Sequence, residues 1–133
     1  MELQVEGELY QIGKMDAFTQ LHVTRKLGSA LPLIEGLVRE QNKGKDMSLM
    51  MVLLMSRLTD DETEYVTEKC LNVVSRKQAQ GWAKVQSGGQ LMFADTTMGA
   101  VIQLTAAVIT ENLGDFFRTA LANLEGQNQT PPV

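Results

Sequence analysis

Few side chains in this sequence carry the chemistry from which sites are built. His22 is the single histidine and Cys70 the single cysteine, and a basic pair, Arg25 and Lys26, follows His22 closely. A zinc site takes three or four ligands, and neither Cys70 nor the acids stand at a recognisable ligand spacing from His22. One cysteine also excludes an internal disulfide. Cys70 falls on an apolar helical stripe, where burial raises a thiol's pKa and leaves it inert. Ser87, in Gln-Ser-Gly-Gly, has turn chemistry, and no Gly-x-Ser-x-Gly elbow is present. Gly88-Gly89 is not followed by the spacing of a phosphate loop. Asp60, Asp61, Glu62 and Glu64 cluster at a helix start, where the helix dipole accounts for them. These patterns predict no catalytic, cofactor-binding or metal-binding residue, and the chain reads as a non-enzyme.

The elements that carry these residues follow from periodicity and punctuation. Residues 2–12, ELQVEGELYQI, alternate about Glu6-Gly7 and predict an N-terminal hairpin. Asp16 caps a helix, with His22 on its polar side. Arg25 and Lys26 lie in its last turn, where a cation meets the carbonyl end favourably by about 0.3–1 kcal/mol. Gly28 ends that helix. Ser29 caps a second, with Pro32 in its first turn and Leu31, Ile34, Leu37 and Val38 buried. A polar loop, 41–46, leads to an apolar stretch, Met47–Leu58, expected to be a buried helix. Its densest run, MSLMMVLLM, is far shorter than the roughly 20 residues a membrane span needs.

Thr59 to Glu62 spells a capping box. The helix it opens carries Val66, Cys70, Val73 and Val74 on one face and ends in Arg76-Lys77. Residues 81–93 change to a period of two around Ser87-Gly88-Gly89 and predict a second hairpin. Asp95 is expected to cap a helix from Thr96 to about Leu113, with Met98, Ile102, Thr105 and Ile109 on one stripe. Gly114 ends it, and Asp115 caps a last helix, Phe116–Leu124. The tail 126–133, GQNQTPPV, lacks an apolar period and is expected to be disordered. The predicted fold class is mainly α (α+β): one domain over 1–125, with five to six helices and two short β-hairpins.

Composition narrows the function classes. At 133 residues the chain is long enough to bury a core without metal or disulfide staples. Its 12 basic and 16 acidic residues are well mixed. The densest basic stretch, Lys43 to Lys45 beside Arg39, is too little to hold a duplex, so no nucleic-acid partner is expected. The N-terminus is acidic and has no apolar signal region, and the lone cysteine fits a reducing cytosol. Neither a leader nor a membrane partner is expected. The eight methionines suit adaptable surfaces that repack against partners, or serve simply as core filler.

Five stretches, taken in order, resemble the tail assembly chaperones of long-tailed bacteriophages and their prophages. They are Y-x-I-G-K-M-D-A-F-x-Q-L-H-V-x-R-K-L (Tyr10 to Leu27) and L-T-D-D-E-T-E-Y-V-x-x-x-C-L-x-V-V (Leu58 to Val74). They continue with G-W-A-K-V and G-Q-L-M-F (Gly81 to Val85, Gly89 to Phe93) and with E-N-L-G-D-F-F (Glu111 to Phe117). The resemblance implies a small helical, non-enzymatic protein. It would bind the long apolar tape measure protein, keep it soluble, and help tail tube subunits polymerise around it. It implies the host cytoplasm as the place of action and absence from the mature virion.

Members of that family often gain a C-terminal extension by ribosomal frameshift, which recruits the tail tube protein; a chain ending in GQNQTPPV looks like the short form. No binding motif transfers residue by residue. Phe18 and Leu21, which fall off the stripe of the following helix, and Phe116 and Phe117 are the candidate contacts with client or with neighbouring copies in self-association. The same four residues would alternatively complete the core. Two other functions fit such a chain: a structural virion component, such as a tail-completion or connector protein, and a small prophage regulator acting by protein contact.

Overall fold

A computed structural model describes residues 1–42 and 47–128. The expected loop 41–46 therefore falls mostly outside the described residues, as does 129–133. The chain opens with strands β1 (Glu2–Val5) and β2 (Glu8–Ile12). Glu6 and Gly7, at φ 51° and 83°, form the two-residue turn whose twist suits a tight hairpin. Helix α1 (Ala17–Leu27) starts at Asp16, whose carboxylate accepts the Thr19 N–H at 2.8 Å. Gly28, at φ 35°, ends it and opens a 3-10 turn over Gly28–Ala30 that runs into α2 (Leu31–Asn42). Pro32 sits in the first turn of α2, where its missing N–H costs nothing.

Helix α3 (Ser48–Met55) is shorter than expected and only half buried. Met51 and Leu54 enter the core, while Leu49 is 73% exposed, Leu53 54% and Val52 44%. A nearly all-apolar helix signals burial, yet α3 packs chiefly against α2 and α5, and its outer face stays exposed. Helix α4 (Asp60–Leu71) begins with both halves of the Thr59–Glu62 capping box in place.

Helix α4 stops at Leu71, earlier than expected, and Arg76-Lys77 lie instead in strand β3 (Val74–Gln78). The β-branched Val73-Val74 pair favours extension, and β2 offers an open edge. Ile12 pairs with Val74 and Tyr10 with Arg76. Strand β4 (Gly81–Lys84) pairs back onto β3. The result is a four-stranded antiparallel sheet in the order β1-β2-β3-β4. Of the hairpin expected over 81–93, only β5 (Gln86–Ser87) and β6 (Gln90–Leu91) fold about Gly88-Gly89.

The two last helices expected are one, α5 (Met98–Asn128), about 46 Å long at 1.5 Å per residue. Asp95 does not cap it; Thr97 does, its hydroxyl accepting the Ala100 N–H at 3.0 Å. Gly114 is buried within α5, and Asp115 pairs with Arg118 one turn on. A mid-helix glycine costs about 1 kcal/mol, but Ile109, Leu113 and Phe117 bury the same helix on both sides of it. Packing outweighs the local break. The first three positions of the expected tail, 126–128, are the end of this helix.

Helix α5 is the spine. It packs on α2, α3 and α4 and touches α1 and the β1-β2 hairpin. The core around it takes Val23 and Leu27 from α1, Ile34 and Leu37 from α2, and Val66 and Cys70 from α4.

Candidate functional site

Helices α1 and α5 run side by side and leave an apolar groove between them. Its volume is about 210 Å³, and its lining is Ala17, Gln20, Leu21, Thr24, Asn112, Leu113 and Phe116. Leu21 is 59% exposed and Phe116 62%, while Phe18, one turn before Leu21 on α1, is 75% exposed. Large apolar side chains left in water this way mark surfaces that meet a partner more often than ordinary surface does.

Of the four residues singled out in the sequence, the structure brings Leu21 and Phe116 to one groove. Phe18 stands on the same helix as Leu21, outside the groove lining. Phe117 turns inward, only 9% exposed. Its ring meets that of Phe116 edge-on, with centroids 5.4 Å apart and planes at 76°. Phe117 thus couples the groove to the core, fixing the ring that the groove presents.

Asn112 went unnoticed in the sequence, and it sets the distance between the two walls. Its side-chain oxygen accepts the Met15 N–H at 2.8 Å and the Gln20 side-chain N–H at 3.3 Å. Its amide nitrogen donates to the Gly13 carbonyl at 3.1 Å and to the Val108 carbonyl at 3.0 Å. One side chain on α5 therefore ties down the linker that leads into α1 and reaches α1 itself. A polar residue of modest helix propensity amid VITENL was the available signal.

Several titratable groups outside the groove have structural duties. His22 is exposed on α1. Lys26 and Lys69 flank the Tyr65 ring, each ammonium 5.5 Å from its centroid, which bridges α1 to α4. Cys70 is fully buried, and loss of solvation pushes its thiol up to about 12. Hydrogen bonds from Thr19, first its backbone N–H and then its side chain, hold Asp16's carboxyl below the ordinary range.

Arg76 is the centre of an ion-pair cluster. It meets Asp95 through two bonds of 2.8 and 3.1 Å and Glu8 at 3.1 Å, and its guanidinium lies 4.5 Å from the Phe93 ring centre. These bonds hold Asp95's carboxyl below its usual value and fasten the segment before α5 to the sheet. Nearby, Thr97 donates its hydroxyl to Glu6 at 2.7 Å.

Among the described residues, no group of three or more His, Cys, Asp or Glu side chains could hold a metal ion, and no helix is long and apolar enough to cross a membrane. The geometry offers an apolar groove and exposed apolar helix faces.

No curated protein and no solved structure matches the chain. Residues 6–125 match a family described as the phage tail assembly chaperone protein, TAC. Its members are generally non-enzymatic and have tail-related protein partners. The match takes in every helix and both sheets save the first strand and the last few residues of α5, and the chain belongs to this phage tail assembly chaperone family.

Proposed function

We propose that the protein binds an apolar helical segment of the tape measure protein in the α1–α5 groove, keeps that client soluble, and promotes tail tube polymerisation around it. The observation that carries this reading is the groove itself, with Leu21 and Phe116 exposed on its walls and Phe18 beside it. An amphipathic helix laid into such a groove buries its anchors at i, i+3, i+4 and i+7. Several weak sites along one long client, each filled by a copy of the chaperone, add by avidity. The action takes place in the host cytoplasm, and the chaperone leaves before the virion is complete. Tail tube protein is engaged mainly by a longer, frameshifted form.

Co-expression with a tape measure protein from the same genome tests the reading. The client stays soluble and co-purifies with the wild-type chain. It precipitates with the Leu21→Ser/Phe116→Ser variant, whose melting temperature matches wild type because both side chains are largely exposed. A client that is insoluble in both cases, with this protein eluting alone, contradicts it.

A further inference from the structure

The four-stranded sheet is left with an open strand at each end, and the two edges fit each other. β1 and β4 each have one strand neighbour among the described residues. On β1, Met1 and Ile12 share backbone hydrogen bonds of 2.7 and 3.4 Å. By alternation, positions 3 and 5 also turn their polar backbone toward β2, and Glu2 and Gln4 turn theirs outward. On β4, the Val85 N–H donates to the Val74 carbonyl at 3.1 Å. Positions 83 and 81 therefore face β3, and Trp82 and Lys84 face away. The side chains of all four outward positions are exposed.

We infer that β4 of one chain pairs with β1 of a second copy, antiparallel, with Lys84 opposite Glu2 and Trp82 opposite Gln4. Three features select this partner. An antiparallel meander with an even number of strands ends on strands of opposite direction, so the next copy's β1 continues the alternation. The two outward donor–acceptor pairs on each edge come into register together. The register also extends an existing row of side chains: Glu2, Gln11, Ser75 and Lys84 already lie side by side on the outer face. Beside that row, Gln4 pairs with Leu9 and Lys77 with Trp82.

Charge disfavours the symmetric alternatives. Pairing β1 with β1 gathers Glu2 and Glu6 of both chains on one seam, and pairing β4 with β4 gathers both Lys84 side chains. The β4–β1 seam sets Lys84 against Glu2, and opposite charges across strands attract where like charges repel. Such an interface is heterologous: each added copy leaves a β1 and a β4 open, so chains add head to tail. The inference does not depend on client binding, since the groove and the sheet edges share no residue.

Sedimentation velocity of the full chain over a range of concentrations tests it. Wild type associates as concentration rises. Glu2→Lys and Lys84→Glu each weaken association by about three- to tenfold, and the double variant recovers it. Gln4→Pro removes only an outward N–H, which an edge strand tolerates, so it loses association while its circular dichroism and melting stay those of wild type. An association untouched by all three substitutions overturns the pairing. So does a wild-type chain that is monomeric at every concentration, which would assign the open edges to a strand of another protein.

Discussion

Asn112 and Arg76 each join segments that lie far apart in the chain. Truncating Asn112 to Ala leaves the Met15 N–H and the Gly13 carbonyl without their part-buried partner. An unsatisfied group of this kind costs about 1–3 kcal/mol, so a denaturation midpoint well below wild type is expected; an unchanged midpoint would remove Asn112 from its organising role. Asp95 has its folded pKa below the ordinary 3.8, so its contribution is present above that value and lost as pH falls through the lower, folded one. Asp95→Asn should flatten the acid limb of the stability–pH profile below about pH 4. Asp16 is shifted the same way, so the flattening is partial. A wild-type acid limb in the variant would show that the Arg76 contact is not populated. Cys70 should ignore thiol reagents in the native protein and react fully in denaturant.

Elements differ in how far the sequence announces them. Asp16 and Thr59 cap their helices through bonds to residues three positions on, so both starts were legible from neighbouring letters. The same logic failed at Asp95, because its carboxylate goes to Arg76 on another element. The cap at Thr97 makes a separate prediction: Thr97→Ala costs about 1 kcal/mol, read as a drop in melting temperature. β3 was hidden for a related reason. Its partner β2 lies some sixty residues earlier, and no local pattern reveals that an edge is waiting. Helix α3 misled through composition alone, since eight nearly uniform apolar residues do not say which side will be covered. Leu21 was legible as an apolar residue off a helical stripe, and Phe116 as one of the candidate aromatic contacts. Their meeting in one groove, and the inward turn of Phe117, depend on how α1 crosses α5. Phe117→Ser should accordingly behave as a core truncation of about 3–5 kcal/mol, unlike Phe116→Ser.

On the scale of the molecule, a long central helix buries one continuous core, and two of the apolar helix surfaces left in solvent among the described residues are the α1–α5 groove and the outer face of α3 around Leu49 and Leu53. The proposed binding of an apolar helical client would use such surfaces, and the two are distinguishable. The most direct measurement places a photo-crosslinking side chain at position 21 in one variant and at position 49 in another, each co-expressed with the tape measure protein. The groove reading predicts client adducts from position 21 and few from position 49. Adducts from position 49 alone would move the client onto α3 and contradict it.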